Sequence, residues 1–194
     1  MEKTFRPERV ALLPPRERII DAAQALFVEQ GLTRVTVDAI AAQAGSTKMT
    51  LYRHFETKEV LVLEWLRLLT EQYSAVLDDL AEQWPAQPGL QLLGFAQFIA
   101  LDLARSGYRG CPFTNSLAEL PDPQHPARQL IEAHKRRQFQ RMAILCREAQ
   151  LPNPVERAQE LTFLLEGAQV VAQNKGVDDV AQHLLRMVSK CLEV

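Results

Sequence analysis

Residues 36–58 read TVDAIAAQAGSTKMTLYRHFETK, and the placing of threonines, glycine and apolar residues in this stretch decides the fold. Thr36 and Thr47 suit the start of a helix, where a hydroxyl accepts from a backbone N–H that the first turn leaves unpaired. After Thr36, Val37, Ile40, Ala41 and Ala44 share one helical face, and Gly45 ends the helix. Thr47 opens a second short helix reaching about His54, with Leu51 and Phe55 four apart and turned inward. Two short helices across a turn of about three residues form the geometry that lays the second one in the major groove of DNA. The small residues Ala41, Ala42 and Ala44 are expected to let the two helices approach closely. Lys48, Met49, Thr50, Tyr52 and His54 then face outward, a surface suited to phosphate oxygens and base edges. The helix starts at Thr36, Thr47 and Thr57 add backbone N–H groups for phosphates.

Outward from this stretch, almost everything reads as helix. Upstream, Ile19, Ala23, Leu26 and Phe27 form the buried stripe of a helix that starts near Arg16 and stops at Gly31. Downstream, Thr57 caps a long helix whose inner face is expected to carry Leu61, Trp65, Leu68, Gln72, Val76 and Leu80. Two prolines in residues 84–89 break it, and a fifth helix carries Leu92, Phe95, Phe98 and Ile99. The Gly- and Pro-rich residues 106–126 leave room for a short helix over 115–119. Longer helices are expected over 126–150 and 154–175, and a ninth after Gly176. No stretch alternates with period two, so the fold class is all-α, with about nine helices.

Composition sets the outer limits. The chain has 194 residues, 47% apolar and 24% charged, with a formal net charge of −2. That is ample for a packed core and rules out disorder through most of the chain. No apolar run approaches the roughly 18 residues that cross a bilayer, and the first twenty residues lack a signal-peptide core. Three widely spaced cysteines fit neither a disulfide framework nor a zinc site. A cytoplasmic protein without membrane contact is expected. Residues 1–58 carry nine Lys/Arg against seven Asp/Glu, and residues 59–194 carry thirteen against seventeen. A mildly basic N-terminal unit on an acidic body suits a protein that offers one face to a polyanion.

The run AGSTKMTLYRHFETKEVL resembles the DNA-binding signature of the tetracycline-repressor (TetR) family of bacterial transcription regulators. Upstream, RIIDAAQALFVEQGLTRVTVDAIA is similar to that family's first two helices, so the match is dense over residues 16–64. The resemblance implies that Thr36, Thr47, Tyr52, His54 and Lys58 contact the DNA backbone, and that Lys48, Met49 and Thr50 face base edges. Met49 stands where the family often has a smaller residue or proline, which favours apolar contact with a thymine methyl. Asp38 is acidic near the DNA side, against base reading there. The stretch GYRGCPFTNSLAELPDPQHPAR resembles one branch of the family.

The opening segment through Pro14 and Pro15 reads as a flexible arm over residues 1–15. The same resemblance implies a helix-turn-helix domain over 16–57 and an effector-binding and dimerisation domain over 58–194. It suggests Trp65, Tyr73, Phe98, Phe113, Asn115, Phe139 and Met142 as lining for a small, mostly apolar effector, although aromatic residues at helical spacing usually just pack. The helix over 154–175 is apolar on more than one face and needs a second partner. Leu161, Leu164, Gly167, Ala168 and Val171, with Leu184 and Val188 from the ninth helix, are its expected homodimer interface. Glu119, Asp122, His125 and His134 match no metal motif, and only Arg109 is basic beside Cys111, so an inert thiol is expected. No catalytic motif or cofactor loop is present, which argues against an enzyme. The whole implies a repressor that binds a palindromic operator as a homodimer and is released by a small effector. The alternative is an architectural DNA binder without an effector.

Overall fold

A computed structural model describes residues 13–193 and carries nine α-helices and no strand among them. They are α1 (Pro15–Gln30), α2 (Val37–Gln43), α3 (Lys48–His54), α4 (Lys58–Gln83), α5 (Pro88–Arg105), α6 (Pro112–Glu119), α7 (Pro126–Glu148), α8 (Pro154–Asn174) and α9 (Val180–Leu192). The expected arm over 1–15 lies almost wholly outside the described residues.

Two kinds of residue start these helices. Thr36, Thr47 and Thr57 cap α2, α3 and α4, each hydroxyl accepting from the N–H three residues on. Proline opens α1, α5, α6, α7 and α8, where its fixed φ suits the first turn and its missing N–H costs nothing. For that reason α6 begins at Pro112, three residues before the sequence reading placed it.

Most of the core forms one apolar cluster from Ile19 in α1 to Leu192 in α9, and Leu103, Ala172 and Val180 form a small second one. Within it α5 is central, packing against α4, α7, α8 and α9. The N-terminal helices rest on α4 through α1, where the Phe27 and Trp65 rings lie 5.3 Å apart between centroids. Arg16 reinforces this joint, bonding Glu64 of α4 at 2.5 Å and lying over the Phe55 ring.

Two expectations about packing need correction. From Trp65 the buried face of α4 continues through Leu69, Tyr73 and Leu77, while Leu68 and Val76 are half-buried and Gln72 is exposed. Both tracks have helical spacing, and only the position of α5 and α7 selects between them. In α2, Ala42 is exposed, so Ala41 and Ala44 alone serve the close approach. No helix among the described residues is long and apolar enough to cross a membrane.

Candidate nucleic-acid interface

The seating of α3 follows from its apolar side. Leu51 is fully buried and Phe55 nearly so, anchoring the middle and the C-terminal end of a helix only seven residues long. The same anchoring turns Met49 and Tyr52 outward, 75% and 45% exposed, with Lys48, Arg53 and His54 exposed beside them. An apolar side chain so open to water has no packing role in the single chain, and Met49 is available to a thymine methyl.

Several outward side chains are already engaged. Thr50 is half-buried and its hydroxyl pairs with that of Thr47 at 2.9 Å. The hydroxyls of Thr36 and Thr47 also accept from the Ala39 and Thr50 N–H groups, so each helix start offers a phosphate one donor fewer. Lys48 donates to Asp38 at 3.1 Å, and that hydrogen bond holds the ammonium in its charged form, above the ordinary lysine range. Asp38 thus offsets the charge of the cation that the sequence reading expects at the base edges.

Lys58 is placed differently from the others. Half-buried, it donates to the Leu32 carbonyl at 2.6 Å in the turn between α1 and α2. The same turn is held from the body, where the Glu119 carboxylate accepts from the Leu32 N–H at 2.8 Å and the Thr33 N–H at 2.7 Å. Burial pushes the Glu119 carboxyl up, but these hydrogen bonds and the nearby Lys58 charge outweigh it and hold it below the usual range. The exposed cations Arg34 and Arg53 were missed in sequence, and neither forms an ion pair among the described residues.

The profile of "Bacterial regulatory proteins, tetR family" matches residues 19–65, which is α1 through the first turns of α4. The Probable HTH-type transcriptional regulator ArpR of Pseudomonas putida is 30% identical over 163 residues, covering 76% of this chain and 74% of that protein. The chain belongs to the TetR family. The HTH-type transcriptional repressor KstR2 of Rhodococcus jostii is 34% identical over 92 residues, 47% of this chain and 45% of that protein. Among solved structures, SCO4454, a TetR-family transcriptional regulator from Streptomyces coelicolor, superposes with a TM-score of 0.85 at 29% identity, covering 92% of this chain and 94% of that one. The all-helical, DNA-binding and transcription-regulating reading follows from this membership.

In this TetR-family chain a cavity of about 570 Å³ opens between α1 and residues of α4, α5 and α6. Of the expected lining residues, Trp65, Tyr73 and Asn115 border it. Phe113 and Met142 are fully packed in the core, while Phe98 and Phe139 are half-buried against it. The lining is mixed, with Asp21, Glu29, Asp102, Arg105, Arg109 and Glu119 set among apolar and aromatic side chains. Tyr73 also borders a second cavity of about 220 Å³ with His134, Phe95 and Arg137. Burial and the neighbouring Lys135 and Arg137 charges lower His134 to about 4, so it is neutral at pH 7.

The remaining sequence candidates have structural surroundings. Asp122 accepts from the Gln124 N–H at 2.8 Å, and His125 Nδ1 from the Ala127 N–H at 3.2 Å. His134 packs on the Phe113 ring, 4.5 Å away. Cys111 has a basic neighbour after all: Lys135 of α7 lies 3.6 Å from its sulfur and 2.5 Å from Glu166. Residues 24 positions apart, on different helices, could not be paired from local sequence.

The expected dimer residues divide. Leu161, Leu184 and Val188 are at most 2% exposed within one chain and pack against the core, so they have no surface left for a partner. Leu164, Ala168 and Val171 are half-buried and Gly167 is exposed. Phe163 and Val170, seven apart on α8, form an exposed apolar stripe, and Met187 of α9 is exposed as well.

Proposed function

We propose that the chain is a homodimeric repressor that binds a palindromic operator and is released by a small effector. In this reading residues 16–57 bind DNA and residues 58–194 bind effector and partner. The observation that carries it is α3, pinned by Leu51 and Phe55 while Lys48, Met49, Tyr52 and His54 stand open to solvent. Lys48, Met49 and Thr50 read base edges, while Thr36, Thr47, Tyr52, His54 and Lys58 position the backbone. A relative whose name includes "repressor" supports the sign of regulation. The exposed apolar stripe of Phe163 and Val170 on α8 and the exposed Met187 on α9 support pairing through these helices, with Gly167 allowing close approach. Two copies then present α3 at two half-sites about 34–36 Å apart, one turn of DNA.

Selection of bound sequences from random duplex DNA, followed by sedimentation of the complex, tests this. The expected result is an inverted repeat holding two chains. Enrichment of no repeat, or of a bent sequence without symmetry, would instead mark an architectural DNA binder.

A further inference from the structure

A cavity of about 570 Å³ joins α1, which precedes the helix-turn-helix pair, to α4, α5 and α6. Its walls hold the carboxylates Asp21, Glu29, Asp102 and Glu119 against the guanidinium groups of Arg105 and Arg109. Three aromatic side chains, Phe27, Trp65 and Tyr73, complete it. Carboxylates beside aromatic faces favour an organic cation, which gains from both the charge and the ring quadrupole. A volume of about 570 Å³ lies within the range of small-molecule sites.

A second observation points the same way. Trp65 is 1% exposed, yet its indole N–H finds no acceptor among the described residues. A buried donor left unpaired is costly, and water or a ligand oxygen normally meets it. Asp102 is also incompletely used. Its Oδ2 accepts from the Tyr73 hydroxyl at 3.2 Å, and Oδ1 has no donor among the described residues. An unmet donor at Trp65 and a free acceptor at Asp102 thus belong to two residues that line one ligand-sized space.

Glu119 gives the cavity a route to DNA. It borders the space and holds the Leu32 and Thr33 N–H groups in the turn between α1 and α2. A cation drawn to this carboxylate competes with those two N–H groups.

We propose that the cavity takes a protonated amine bearing a hydroxyl group, and that its occupancy loosens the α1–α2 turn through Glu119. The ammonium meets Asp102 and Glu119, and the hydroxyl oxygen accepts from Trp65. This deepens the effector-released reading above and rests on it for its consequence at the operator.

The test uses three compounds of one skeleton: 2-amino-1-phenylethanol, 1-phenyl-1,2-ethanediol and mandelate. The full chain carries Trp84→Phe, so that Trp65, the other of its two tryptophans, alone reports binding by fluorescence. The amine is expected to bind about tenfold or more tightly than the diol, and mandelate not at all. Asp102→Asn should lower the amine's affinity by about tenfold without moving the thermal midpoint. Hydrogen exchange at the Leu32 and Thr33 amides should quicken with the amine; in Glu119→Gln it should be fast already and unaffected by it. Equal binding of the three compounds, preference for mandelate, or no response to the amine up to about 10 mM overturns the site. Unchanged exchange at both amides while the amine is bound overturns the route. Operator binding measured alongside separates the two readings. Amine binding with quickened exchange but no operator release upholds the site and defeats effector release; release by another compound with no amine binding does the reverse.

Discussion

The Glu119 carboxylate fills the space that a side chain on Gly31 would need: Oε1 lies 2.6 Å from where a Cβ would stand. Gly31 ends α1 with φ 85° and ψ 167°, a region that side chains rarely enter. The close approach of α6 to the α1–α2 turn thus depends on a missing side chain as much as on two hydrogen bonds. Gly31→Ala is expected to cost about 1–3 kcal/mol from backbone conformation alone. A further loss follows because Glu119 must leave Leu32 and Thr33. In a double-mutant cycle with Glu119→Ala, the double variant should lose less than the sum of the two single losses. Urea unfolding measures all four proteins, and strict additivity would mean that Glu119 moves aside without cost.

The ion pair between Lys48 and Asp38 makes the acidic residue the more informative substitution. Asp38→Asn should release the Lys48 charge toward DNA, tighten binding and steepen its salt dependence by about one ion per chain. Lys48→Ala should instead change sequence preference, by about 1–3 kcal/mol at one base pair per half-site. Lys58→Ala should lower thermal stability along with affinity, because its ammonium supports the Leu32 carbonyl. Isotherms at several salt concentrations and melting curves decide these. Weaker binding by Asp38→Asn would show that this carboxylate itself touches the DNA.

Apart from the start of α6, helix starts and the seating of α3 were legible in the sequence because their causes are local. A threonine three residues before an N–H, or a proline in the first turn, acts within one turn of chain. The face of α4 was not legible, since Leu68–Gln72 and Leu69–Tyr73 are equally helical tracks until α5 and α7 arrive. For the same reason Leu161, Leu184 and Val188 read as interface when they are core. An apolar stripe shows that something covers it and leaves the partner open. Long-range polar contacts, such as Glu119 on Thr33 or Lys135 on Cys111, leave no trace in spacing at all.

Stability should fall in acid in two stages. His134 has a folded value of about 4 against an ordinary 6.5, so the unfolded chain binds a proton that the folded one refuses. Stability present above pH 6.5 is therefore lost as pH falls toward 4, by about 1–3 kcal/mol. Glu64 is held at about 2 by hydrogen bonds from Arg67 and then Arg16, against burial, and adds a loss between pH 4.5 and 2. His134→Phe should flatten the first stage alone. Urea midpoints across pH read this, and an unchanged slope between pH 6.5 and 4 in that variant would assign the loss elsewhere.

The final prediction separates interface from core on α8 and α9. A Cβ on Gly167 would meet nothing within 4 Å in the single chain, so Gly167→Glu has room to fold. Placed in a packed dimer surface, the same carboxylate would lose its water without a partner, at a cost of several kcal/mol. Gly167→Glu and Phe163→Glu should therefore sediment as monomers with helix content and unfolding midpoint close to those of an isolated wild-type chain. Operator binding should then require higher protein concentration, because each half-site must capture its own chain. Leu184→Ala should behave in the opposite way. Its side chain is 2% exposed, and truncation leaves a cavity worth about 2–5 kcal/mol of chain stability. A Gly167→Glu protein that remains a dimer would move the interface off this stripe while leaving DNA binding by α3 untouched.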